Sequence, residues 1–179
     1  MKKILILASA LVAFSTTHAQ EAWLGFGLGV QPGTFSQEPL SRIEFGWNQS
    51  SSFGFGIQLV NAPNGMPSLL DNTFITMSRM GVVSRYQNQL SNSFRIEVPM
   101  GLSANFVALQ GNMTREMVGA IAEGGLSLAY TNSRFDVVIS ERYQQSFGID
   151  DSAINDKKLS GLQTALEIRF WLPTGKKYD

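Results

Sequence analysis

Residues 94–106 read FRIEVPMGLSANF and alternate without a slip. Phe94, Ile96, Val98, Met100, Leu102, Ala104 and Phe106 share one phase; Arg95, Glu97, Pro99, Gly101, Ser103 and Asn105 share the other. A period of two is the strand period, so one face is wholly apolar and the other charged or small. At roughly 3.3 Å per residue the strand runs about 40 Å, well beyond the usual length of about five or six residues. That reach suits a tilted strand crossing hydrocarbon and its interfaces.

Outward from this stretch the same rhythm predicts eight strands, roughly Ala22–Val30, Ser41–Asn48, Ser52–Val60, Phe74–Tyr86, Phe94–Ala108, Met117–Tyr130, Phe135–Gln144 and Leu159–Leu172. The fourth is the least regular, because Ile75 and Met77 share the phase of Arg79 and Arg85. A bulge or a short packed stretch would reconcile its halves. Short links (Gln49–Ser51, Gln87–Ser93, Thr131–Arg134) alternate with mostly longer ones (Gln31–Leu40, Asn61–Thr73, Leu109–Glu116, Gln145–Lys158). Both ends of the barrel fall on the short side. The fold expected is an all-β, eight-stranded, antiparallel up-and-down transmembrane barrel.

The first residues agree with an exported protein. Lys2 and Lys3 precede an apolar run, Ile4–Phe14, and Thr17-His18-Ala19 offers a small-residue cleavage site,. The run is too short to span a bilayer as a helix, and no Cys follows it for lipid attachment,. Residues 1–19 are expected to be a signal peptide and residues 20–179 one barrel domain. Without Lys2 and Lys3, the 14 basic residues fall to 12 against 14 acidic ones, so no nucleic-acid partner is expected,. Charged residues are 16% of the chain, below the roughly 25% of soluble domains,. The absence of Cys leaves stability to backbone pairing and packing,.

Alternation alone does not say which face points inward, since a soluble lipocalin-like barrel and a membrane barrel are opposites here. Arg42, Arg79, Arg85, Arg95, Arg142 and Arg169 share the polar phase with Glu44, Glu97, Glu123, Asp136 and Glu167, and every Lys after the leader lies outside the strands. That phase is also rich in Gly, as a narrow, crowded lumen requires. These residues are expected to form a structural ionic network inside the barrel, because buried ions are tolerated when they pair. Trp23, Trp47, Tyr86, Tyr130 and Tyr143 sit near strand ends and are expected to form interfacial girdles,. Glu141 has the outward phase of Val137 and Ile139 and is expected beyond the hydrocarbon band. Pro99 lacks an N–H, so a local irregularity is expected around it.

Phe94-Arg95-Ile96-Glu97-Val98-Pro99-Met100-Gly101-Leu102 resembles the "E-[IV]-P-hydrophobic" strand of small outer-membrane barrel families common in Bacteroidota, the PorT-like group and OmpA- and OmpX-like barrels among them. The stretch from Phe135-Asp136-Val137-Val138 to Phe147-Gly148-Ile149 is similar to their penultimate strand and loop. Leu166-Glu167-Ile168-Arg169-Phe170 resembles their closing strand. The resemblance implies a Gram-negative, eight-stranded barrel without an assigned activity. Two departures stand out: Trp171, Leu172 and the tail Pro173–Asp179 follow Phe170, and Pro99 lies in mid-strand.

Little in the chain suggests chemistry. The single His is His18, in the leader, and there is no Cys, so neither a Ser-His-acid nor a Cys-His site can be built from residues 20–179,. Glu44 and Glu97 would serve as an acid–base pair only if the arginines beside them left them unpaired. Gly25-Phe26-Gly27-Leu28-Gly29 lacks the helix of a phosphate loop. Asp150, Asp151, Asn155 and Asp156 lack calcium-loop spacing. Met66, Leu69 and Leu70 are expected to pack on the barrel rim. No enzyme, metal or cofactor is expected. The reading is an integral outer-membrane barrel with a structural or surface-interaction role, extracellular loops, and lipid as one partner beside an unidentified extracellular or periplasmic one. A narrow porin-like transport barrel and a soluble lipocalin-like binding barrel are the alternatives.

Overall fold

The alternating segments pair in sequence order into a closed antiparallel barrel, with the last strand returning to the first. The computed structural model describes residues 21–31, 40–67, 74–110, 115–149 and 159–172. Its strands are β1 (Glu21–Val30), β2 (Leu40–Ser50), β3 (Phe53–Pro67), β4 (Phe74–Gln89), β5 (Phe94–Gln110), β6 (Arg115–Thr131), β7 (Phe135–Phe147) and β8 (Gly161–Leu172). Closure comes from β1 against β8, with Phe26 opposite Ile168 and Gly25 opposite Arg169. Residues 1–20, which include the expected leader, residues 173–179 and the acidic loop at 150–156 lie outside the described residues, as do the side chains of Met66, Leu69, Leu70 and Ile75.

Following the register around the wall from Glu21 through Asn48, Gly54, Arg85, Pro99, Gly125 and Arg142 to Gln163, next to Thr164 that pairs with Val30, climbs the length of β1, about ten residues. A stagger of that kind tilts the strands by about 35–45°. The strands meet at tight turns on one rim, where Leu90 N–H donates to Phe94 O and Asn132 N–H to Phe135 O, both at 2.9 Å.

On the other rim two of the four longer connections are shorter than expected, because the strands continue. β3 runs on to Pro67 through a register shift between Ala62 and Met66, which absorbs Pro63 and Gly65,. β5 and β6 extend until only residues 111–114 separate them. β4 itself has no bulge and pairs with β5 without a break from Phe74–Gln110 to Gln89–Arg95. The packed stretch is the correct reconciliation there: Met77 points inward and is buried with Leu40, Val60, Val107, Ile149 and Leu159. This apolar layer closes the interior at the long-connection end.

The irregularity at Pro99 lies on the β6 side. The β5–β6 ladder passes from Glu97–Ser127 to Met100–Gly124 with the two intervening pairs unmade and the register unchanged. The position that cannot donate thus faces Gly124 and Gly125, where the ladder is already open.

Glycines of the inward phase make room for large side chains. A Cβ on Gly46 would overlap the Trp23 ring, and one on Gly56 would lie 2.6 Å from Glu44 Oε1. Gly124 faces outward into open space, its nearest neighbour Pro99 O at 3.8 Å. Gly46→Ala is expected to destabilise the barrel by about 1–3 kcal/mol, the usual cost of overpacking. Gly124→Ala should shift the midpoint of urea unfolding in lipid vesicles far less; equal shifts would contradict this account of the lumen.

Candidate functional site: the barrel interior

The alternation sends Arg42, Glu44, Arg79, Arg85, Arg95, Glu97, Glu123, Asp136, Arg142, Glu167 and Arg169 inward, and all of them are buried. They form two tiers. In the tier near the short turns, Glu97 of β5 is the hub. Arg169 Nη1 donates to its two carboxylate oxygens at 2.8 and 2.9 Å, Arg95 Nε donates at 3.0 Å, and Arg85 Nε lies 3.6 Å away. Arg95 also reaches Asp136 at 2.6 Å, Arg169 reaches Glu167 at 2.9 Å, and Arg85 pairs with Glu44. These contacts link β2, β4, β5, β7 and β8 across the lumen.

The upper tier lies between this network and the apolar layer. Glu123 of β6 accepts from Arg142 at 2.9 Å and Gln58 at 2.8 Å, and is ion-paired with Arg79 at 3.0 Å. Arg42 donates to Gln163 at 2.8 Å, and Arg79 donates to Gln163 at 3.3 Å and to Gln144. Gln144 in turn donates to Leu159 O at 2.8 Å and to Gln31.

Trp23 corrects the expected girdle. It is 2% exposed and lies inside the barrel, with the guanidiniums of Arg85 and Arg169 at 5.2 and 5.6 Å from its ring. Trp23 has the phase of Gly25 and Gly27, and that parity, not its place near a strand end, sets which way it points. Trp171, by the same rule, donates its Nε1–H to Asp136 at 2.9 Å and stacks edge-on with Trp23. Trp47 sits outside between Phe45 and Phe55, and Tyr86, Tyr130 and Tyr143 are exposed on the outer face.

Glu141 is also displaced from expectation. It lies midway along β7, opposite Leu126 and Thr164, among the exposed apolar side chains of Ile139, Leu162 and Leu166. Among the described residues its one polar partner is Thr164, whose hydroxyl donates to the carboxylate at 2.6 Å. The phase was right; the height was not, because stagger sets height and is invisible in one strand.

The interior is thus crossed by ion pairs and amide hydrogen bonds from several strands. Among the described residues no group of three or more His, Cys, Asp or Glu is placed to hold a metal ion. Neither a protein-family model nor a curated protein matches the chain. Solved structures do. The N-terminal β-barrel domain of Pseudomonas aeruginosa OprF is 11% identical, with a TM-score of 0.64 over 86% of this chain and 98% of that one. A major outer membrane protein of Thermus thermophilus is 10% identical, with a TM-score of 0.65 over 85% and 99%. The attachment invasion locus protein Ail of Yersinia pestis is 8% identical, with a TM-score of 0.52 over 85% and 97%. The fold is that of the small eight-stranded outer-membrane barrels.

Removing a hub charge leaves its partners buried and uncompensated, which typically costs about 3–5 kcal/mol. Glu97→Gln is expected to lose stability in that range by urea unfolding in vesicles. Glu141→Leu should raise stability by about 1 kcal/mol, since a carboxylate on the lipid face is unfavourable. A Glu97→Gln barrel as stable as the parent would rule out Glu97 as the hub.

Proposed function

We propose that the chain is an integral outer-membrane protein whose closed barrel anchors the connections at its long-connection rim, with a structural or surface-interaction role. The observation that carries this is the inverted polarity of the wall. Leu28, Met80, Val82, Leu102, Val118 and Ile139 are exposed, Leu102 by 59% and Val118 by 64%, while arginines and carboxylates fill the inside. A soluble lipocalin-like barrel has the opposite arrangement, so lipid is the partner that fits the outer face. The short turns and both barrel ends would face the periplasm and the longer connections the exterior. The motif from Phe94 to Leu102 supports a place among the PorT-like barrels of Bacteroidota. The reading is non-enzymatic, in keeping with residues 20–179 holding neither His nor Cys.

A porin-like conduit is the second reading, and the interior argues against it. A solute would have to pass the layer of Leu40, Val60, Met77, Val107, Ile149 and Leu159, then the two ionic tiers, then Trp23. Two measurements test the proposal. Mature protein should fractionate with outer membranes and migrate differently in electrophoresis before and after boiling, because a closed ladder has no edge from which to unravel. In planar bilayers it should give no reproducible open channel. Steady conductance altered by neutralising Arg95 or Glu97 would establish the conduit instead, and recovery in a detergent-free aqueous extract would overturn the membrane assignment.

A further inference from the structure

Among the described residues the interior does not balance its own charge. Among the described residues six buried arginines face five buried carboxylates. In the lower tier Arg85, Arg95 and Arg169 contact Glu44, Glu97, Asp136 and Glu167. The upper tier sets Arg42, Arg79 and Arg142 against Glu123. If Glu167 is counted with the upper tier, the lower one is neutral, and the upper still carries one positive charge too many.

The surplus has a location. Arg42 is buried, and its one hydrogen bond among the described residues goes to the neutral Gln163. Among the described residues its Nε and Nη1 have no acceptor; nor do Nε and Nη2 of Arg142, nor Nε of Arg79. Arg42 and Arg79 both donate to Gln163, whose ladder partner is Arg142, and all three arginines are at least nine-tenths buried. The apolar layer above them separates them from solvent at the near rim. A buried cation in such a place needs a counter-charge that also accepts hydrogen bonds.

We propose that the upper tier binds one small monovalent inorganic anion, of halide size, between the guanidiniums of Arg42 and Arg142, with Arg79 behind them. One negative charge restores neutrality, and the unpaired N–H groups supply the donors. A multiply charged anion would overcompensate and would meet the carboxylates of Glu123 and Glu167. The site is distinct from the anchoring role proposed above, which stands whether or not an anion is bound.

The test is urea unfolding of the full barrel in phosphatidylcholine vesicles, in sodium bromide or in sodium gluconate at equal ionic strength. A ligand held by the folded state alone lowers the unfolding constant about tenfold for each tenfold rise in its concentration above the dissociation constant. That response is expected in bromide and absent in gluconate. Arg42→Gln, which removes the surplus charge, should fold in gluconate and lose the bromide response; Arg142→Gln should lose it too. Crystals grown in bromide should show anomalous scattering between the two guanidiniums. Equal behaviour in the two salts, an undiminished bromide response in the variants, or anomalous peaks on the outer surface only would overturn the proposal.

Discussion

Eight strands enclose a space just wide enough for side chains, and that width governs the rest of the molecule. Here it holds arginines, glutamates, glutamines and two tryptophans. Most charges entering it meet a partner on another strand. Small residues are therefore as necessary as large ones: Gly46 lies where the Trp23 ring needs room, and Gly56 lies beside the Glu44 carboxylate. The long strands, the stagger and the paired ions are one solution to a single packing problem.

The outer wall and the interior divide the residues between them. Lipid is as apolar as a Leu side chain, so the outward phase gains nothing from further apolar contacts within the protein. Cross-lumen ion pairs and hydrogen bonds then tie non-adjacent strands together, as Arg169 of β8 does with Glu97 of β5 and Arg95 of β5 with Asp136 of β7. The backbone ladder joins each strand only to its two neighbours, so these side chains provide the links across the diameter.

Much of this was legible in the sequence because parity is a local property. Residue number alone assigns Arg95, Glu97 and the other charged residues to the inward phase, and it would have assigned Trp23 there as well. Height was not legible. Glu141 was expected outside the apolar band and lies within it, since the position of β7 relative to β6 and β8 depends on the stagger of the whole barrel. Partner choice was hidden for the same reason: nothing near Arg79 in the chain points to Gln144 or Glu123. The apolar layer left a faint trace. Leu40, Val60, Met77 and Val107 are inward-phase residues near the long-connection end of their strands, where the polar phase turns apolar.

The three tryptophans occupy two different environments, and this gives the barrel its own optical reporters. Trp47 lies on the outer wall among Phe45 and Phe55, in reach of acyl chains, whereas Trp23 and Trp171 lie against guanidiniums within the lumen. Quenchers carried on lipid tails therefore sense Trp47 as the chain enters the bilayer. The emission of the other two changes when β1 and β8 meet and the seam is made. Insertion and closure, usually merged into one signal, are separable here by which indole is watched.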